Sequence, residues 1–89
     1  MKITVEMSLY PLSEDYTEHI IKFIKSMKSY ATLLVRTTAM STYISGEYKD
    51  VMNMLNIELE QLYQNVPDSC TVFKIIPKDL NVESGFLDF

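Results

Sequence analysis

The chain has one cysteine, two glycines, three prolines and a single arginine, Arg36, among its 89 residues. A lone Cys70 cannot build an internal disulfide framework, so packing has to supply the stability, and a cytoplasmic location is the simplest expectation. Two glycines leave no Gly/Ser linker, and no repeat or low-complexity tract divides the sequence. No stretch is long and apolar enough to span a bilayer. The opening residues 1 to 7 place a charged or polar side chain at every second position, which also leaves no signal-peptide core. Positive charge is scarce: eight Lys and Arg against twelve Asp and Glu give a net charge of −4. That balance disfavours nucleic-acid binding, which rests on clustered cations neutralising phosphates. What is present is a chain with 47% apolar residues, enough for one compact domain. A domain this small buries a limited core, so association with a second copy is an expected source of stability.

Residues 2 to 10 alternate, with Ile3, Val5, Met7 and Leu9 on one side and Lys2, Thr4, Glu6, Ser8 and Tyr10 on the other, which predicts a half-buried strand. Pro11 should end it, and Ser13 is placed as a helix N-cap. From residue 14 to about 28, Tyr16, Ile20, Phe23, Ile24 and Met27 gather on one helical stripe. Glu14, Asp15 and Glu18 sit toward the helix's positive end and Lys22, Lys25 and Lys28 toward its negative end. Residues 31 to 38 read as a strand, a turn near Ala39 follows, and a third strand ends at Gly46. A second helix from 47 to about 64 carries the stripe Tyr48, Val51, Met52, Leu55, Leu59 and Leu62. Residues 70 to 77 supply a last strand ended by Pro77. The order βαββαβ, with two singly striped helices, predicts an α+β ferredoxin-like sandwich: a four-stranded antiparallel sheet covered by two helices on one face. Residues 1–78 form this domain, and residues 79–89 form a tail rich in apolar side chains at Phe86, Leu87 and Phe89. The tail either docks on its own sheet edge or on a neighbouring subunit, or frays as chain termini do unless something ties them down.

The densest polar stretch is Thr37 to Tyr48, where hydroxyls and aromatics surround a strand. Strand parity turns Met40, Thr42 and Ile44 one way and Ser41, Tyr43 and Ser45 the other. Thr4, Glu6 and Ser8 should therefore share the face opposite the helices with Ser41 and Tyr43. A carboxylate amid hydroxyls and a ring suits an amino-substituted heterocycle. A solvated carboxylate, or an ion pair with Arg36 or Lys74, accounts for Glu6 equally well, and Ser and Thr are common in strands and turns for local reasons. Tyr10, Tyr43 and Tyr48 offer a partial aromatic wall for a cationic ligand, with Tyr48 the one expected in the helix-packing core instead. His19 has no neighbour at metal-ligand spacing and is expected on the solvent side of its helix. Cys70 opens a strand without a partner and is expected to be a small buried residue, and Met27, Met52 and Met54 to be core or near-core fillers. Nothing in the pattern makes a case for nucleophilic or metal catalysis.

The opening strand Ile3-Thr4-Val5-Glu6-Met7-Ser8-Leu9-Tyr10-Pro11-Leu12, the run Thr38 to Thr42 with its Met-Ser-Thr, and Gly46-Glu47-Tyr48 together resemble the YkoF-like thiamine- and hydroxymethylpyrimidine-binding family. The similarity spans roughly residues 3 to 76, and the Met-Ser-Thr…Gly-Glu spacing is its most specific part. It implies a ferredoxin-like fold, binding without catalysis and without a cofactor, and sheets that meet across subunits or tandem repeats. Family members with tandem domains join two such units in one chain; here a homodimer or homotetramer, through sheet faces or edges, would supply the second. Glu6, Ser8, Thr38, Met40, Ser41 and Thr42 stand at the matching positions, and Tyr10 and Tyr43 join them as aromatic contacts. The expectation is a non-catalytic binding protein for thiamine or its hydroxymethylpyrimidine moiety. The exocyclic amine and ring nitrogens would pair with Glu6 and the hydroxyls, and the thiazolium would lie on aromatic and acidic surface.

Three other readings share the element order. An ACT-type regulatory domain binds amino acids at subunit interfaces, but its usual glycine after the first strand is replaced here by Pro11-Leu12-Ser13. An RNA-recognition motif needs aromatics on central strands and a basic surface, and Tyr43 on an acidic chain is too little. An acylphosphatase-like enzyme needs an arginine-based anion cradle near the first loop, whereas Arg36 lies inside a strand. A ligand-free oligomerisation module would dimerise without responding to any small molecule.

Overall fold

The structure, a computed structural model, describes residues 1–80 and 82. Strand β1 runs Lys2–Pro11, a 3-10 turn Glu14–Tyr16 leads into helix α1 Thr17–Lys28, and β2 Leu34–Thr37 and β3 Thr42–Glu47 form a hairpin. Helix α2 spans Tyr48–Asn65 and β4 spans Ser69–Ile76. The sheet order is β2-β3-β1-β4, with every neighbouring pair antiparallel and both helices packed on one side. This is the ferredoxin-like α+β architecture.

Alternation along β1 decides which residues meet the helices. Ile3, Val5 and Met7 are buried beneath them with Ile44 of β3, Phe23 and Met27 of α1, and Val51, Met54, Leu55 and Leu62 of α2. Gly46 lies in register with Ile3 on this side, where a Cβ would stand 2.6 Å from Leu33 Cδ2 and 3.3 Å from the Thr32 carbonyl. The glycine thus lets the chain entering β2 close down on β3.

Several expectations need correction. β1 continues through Pro11, which pairs with Ser69 while the Leu12 amide donates to the Asp68 carbonyl at 2.8 Å. The chain therefore leaves the sheet late and enters α1 through a tight 3-10 turn, so Ser13 is extended and makes no side-chain cap. β2 is shorter than residues 31 to 38, because the chain turns first, with the Leu33 amide on the Tyr30 carbonyl at 3.1 Å. β3 runs one residue past Gly46. Tyr48 is 44% exposed: it opens α2 at the end of the stripe, and its amide donates to the Met1 carbonyl. Cys70 is exposed, opposite Tyr10 on the face that the helices do not cover. His19 is exposed as expected. Of the tail expected over 79–89, Asp79, Leu80 and Val82 are described and lie with the chain's own fold; the remaining positions, 81 and 83–89, fall outside the described residues.

One buried charge sits among the apolar stripe of α2. Glu58 occupies a core-facing position at three- and four-residue steps from Met54, Leu55 and Leu62, and its Oε2 accepts a hydrogen bond from the Tyr30 hydroxyl at 3.0 Å. Burial, and then the carboxylate beside it, raise the Tyr30 phenol above its ordinary value. A raised folded pKa means that this contribution to stability is intact below the unfolded phenol's pKa and is lost as pH rises through the folded one. Tyr30→Phe, which leaves the Glu58 carboxylate without this donor, should lower the unfolding free energy by about 1–3 kcal/mol at neutral pH. Urea denaturation checks this, and the difference between the two proteins should shrink at alkaline pH.

Candidate functional site

The sheet face opposite the helices carries a row of four side chains set by register. Arg36 on β2 stands opposite Tyr43 on β3, Tyr43 opposite Glu6 on β1, and Glu6 opposite Lys74 on β4. Because side chains directly opposite on one face are close neighbours, the register alone builds a cation–aromatic–carboxylate–cation line across the sheet. Glu6 is its centre. Its Oε1 lies 3.4 Å from Lys74 Nζ, and its Oε2 accepts a hydrogen bond from Ser41 Oγ at 3.3 Å. The Glu6 side chain is 30% exposed and that of Lys74 is 74% exposed.

These neighbours hold the Glu6 carboxyl below its ordinary value of 4.5. Hydrogen bonding from Tyr43 is the largest influence; partial burial opposes it, and Lys74 and Ser41 add to the lowering. Glu6 is thus an ionised acceptor at neutral pH, on a surface that a small molecule can reach. Its pair with Lys74 is solvent-facing and of the kind that contributes little, about 0–1 kcal/mol, so a ligand donor can replace the ammonium at low cost.

Ser41 reaches Glu6 because the hairpin tip is closed by its own side chain. The Thr38 hydroxyl accepts from the amides of Met40 and Ser41, each at 3.2 Å, and donates to the Ser41 carbonyl at 3.1 Å. The Thr38 amide donates to the same carbonyl at 2.8 Å. Thr38 therefore serves the turn and sets the direction of Ser41.

The eight candidate residues fall into two places. Glu6, Ser41 and Tyr43 come together on the open face, and Ser8 and Tyr10 follow Glu6 along β1 on that face, with Tyr10 exposed at its end. Thr42 belongs to the helix side, buried and hydrogen-bonded to the Thr37 hydroxyl at 3.2 Å. Met40, 86% exposed at the tip, and Thr38 rim a groove of about 140 Å³ between the hairpin and α1, floored by Met7, Leu9, Ile20, Phe23 and Ile24 and lined also by Ser41 and Thr42. Sequence reasoning missed how the face is bounded: the Thr4 hydroxyl donates to the Lys78 carbonyl at 2.7 Å and accepts from the Leu80 amide at 3.0 Å. No local signal marks that contact, although Pro77 after β4 marks the change of direction. Among the described residues no three His, Cys, Asp or Glu side chains gather as a metal site, and no helix is long and apolar enough to cross a membrane.

Fold and site together define a small ferredoxin-like domain with an ionised carboxylate displayed on its uncovered sheet face. The YkoF-related family matches residues 2–75, and the chain belongs to that family. Among solved structures, a provisionally assigned thiamine biosynthesis/salvage protein from Thermotoga maritima is 21% identical with a TM-score of 0.77, over 94% of this chain and 95% of that one. A protein from Streptococcus pneumoniae is 18% identical at a TM-score of 0.76, over 96% and 97%. One from Methanocaldococcus jannascii is 24% identical at 0.73, over 94% and 91%. At these identities the likeness establishes a shared fold. No curated protein matches the chain.

The electrostatics of Glu6 can be read directly. Its side-chain carboxyl resonance should titrate below the ordinary range, and Tyr43→Phe should move the midpoint upward, as followed by NMR. Because the folded pKa is depressed, the stabilisation from Glu6 is present above the unfolded pKa and is lost as pH falls through the folded one. Glu6→Gln should remove that acid-side component of the stability profile.

Proposed function

We propose that the protein is a non-catalytic binding protein for thiamine or its hydroxymethylpyrimidine moiety, held on the open sheet face with the exocyclic amine on Glu6. The single observation that carries this reading is the partly exposed, ionised Glu6 ringed by Tyr43, Ser41 and Lys74. A carboxylate accepts N–H donors on two oxygens, the Ser41 hydroxyl can turn to donate or accept, and the Tyr43 ring adds a face for a flat heterocycle. Membership of the YkoF-related family and the name of the Thermotoga maritima neighbour support the same ligand class. No cofactor enters this reading, and the acidic chain suits a cationic thiazolium better than an anionic partner.

The same face carries exposed Leu34, Val72 and Ile76, which supports assembly of the protein as a homodimer or homotetramer through this face or its edges. Ser8 and Tyr10 extend the site along β1. In the same reading, Thr38 acts by aiming Ser41, whereas Met40 at the hairpin tip and Thr42 on the helix side do not touch the ligand.

Titration calorimetry of ligand-stripped protein with thiamine, hydroxymethylpyrimidine and an amino-acid panel tests the reading. Saturable binding of the first two alone is expected. Glu6→Ala should weaken it about 10- to 100-fold and Ser41→Ala about 3- to 10-fold, the effects of losing a charged and a neutral hydrogen bond. Amino-acid binding would instead mark an ACT-like regulatory domain, and silence throughout an interaction module. Unchanged affinity in a folded Glu6→Ala protein would remove Glu6 from the site.

A further inference from the structure

After β4 the chain does not leave the sheet. The Lys78 amide donates to the Ile76 carbonyl at 2.8 Å, a tight reversal that turns residues 77–80 back over the open face. From the β4 edge these residues cross β1, where Thr4 holds both Lys78 and Leu80, and reach β3, where Ser45 Oγ donates to Asp79 Oδ1 at 3.3 Å. Thr4 and Ser45 are opposite each other in register, one row from the Glu6–Tyr43 pair on the same face. The strap explains their burial: Thr4 is 3% and Ser45 7% exposed, whereas Glu6 in the next row keeps 30% of its side chain in solvent. Val82 is also buried, and it is not part of the cluster between sheet and helices.

We propose that residues 77–80, pinned by Thr4 and Ser45, are the end wall of the Glu6 site and set the orientation and size limit of the heterocycle bound there. The inference rests on the thiamine-type reading above. Rows on one face of a strand are about 7 Å apart, so a six-membered ring over Glu6 and Tyr43 has one edge against the strap and the other toward Ser8. The remaining open length, from Glu6 to Tyr10, is about 13 Å, room for a second ring in one direction only. In thiamine the 2-methyl group and the carbon bearing the thiazolium arm lie at opposite ends of the pyrimidine, with the amine beside the arm. The amine on Glu6 and the arm toward Tyr10 then place the 2-methyl group against the strap. Thr4 and Ser45 are positioning residues, acting through the strap without touching the ligand.

The test is discrimination, which a general loss of stability does not move. Calorimetry compares hydroxymethylpyrimidine with its 2-propyl analogue on the parent, Thr4→Val and Ser45→Ala proteins. The parent should prefer the 2-methyl compound by about tenfold or more, as overfilling a walled site demands. Each variant should narrow that ratio about threefold or more, and the Leu80 amide should exchange faster in Thr4→Val. Should Thr4→Val fail to fold, the Ser45→Ala ratio decides. Equal affinity of the parent for both compounds, or an unchanged ratio in the folded variants, overturns the strap as a wall and leaves the proposed function standing. A parent that binds neither pyrimidine nor thiamine overturns both.

Discussion

Strand β1 lies between β3 and β4, so the two-residue period of its side chains fixes the core and the open face in one step. Ile3, Val5 and Met7 can enter the core only if Thr4, Glu6 and Ser8 stand on the other side. A slip of one residue in its pairing would bury Glu6 under the helices and expose the apolar set, so the register is strongly specified. The same register aligns Glu6 with Tyr43 and Lys74. The candidate site is therefore a by-product of core formation, and its geometry is as well determined as the packing beneath it.

This dependence explains what could be read in the sequence. Element order, the parity of β1 and β3, and the grouping of Glu6 with Ser41 and Tyr43 all follow from periodicity, which a sequence displays directly. Lys74 was one of two cations that periodicity offered to Glu6; the choice between it and Arg36 required knowing that β4, not β2, borders β1. Parity also separates Met40 and Thr42 from Ser41, yet family resemblance groups all three; the fold turns the Ser41 hydroxyl to Glu6 and Thr42 to the helix side, and leaves Met40 at the exposed hairpin tip. Tyr48 and Cys70 were misplaced for a common reason. Period assigns a residue to a face, but not the extent to which anything covers that face at the ends of an element.

Glu58 illustrates a different limit. Its spacing with Met54, Leu55 and Leu62 is that of a core position, and a carboxylate there reads as an interruption of the stripe until its partner is known. Tyr30 lies between α1 and β2, 28 residues away in the chain, and only the packed structure brings its hydroxyl to the charge. Burying the carboxylate without a donor would be costly, so the pair joins α2 to the segment that leads into β2. Like Gly46, which admits Leu33 against β3, it fixes where that short strand begins.

The two ends of the open face are controlled over very different chain distances. At the hairpin, Thr38 aims Ser41 through bonds spanning at most three residues, so that end is organised as soon as the turn forms. At the opposite end, Thr4 holds residues 78 and 80 across 74 and 76 positions, and Ser45 holds Asp79 across 34. Such contacts carry the loop-closure cost of the whole domain and exist only once β1, β3 and β4 are assembled. They are made by two hydroxyls outside the cluster between sheet and helices, whereas the Glu6 row beneath is set by strand pairing over that cluster. The floor fixes the carboxylate, and the wall, anchored at Thr4 and Ser45, fixes how far a ligand extends past it. The division follows from topology: the floor is built from strand register, which the core enforces, and the wall from a segment that the core does not reach.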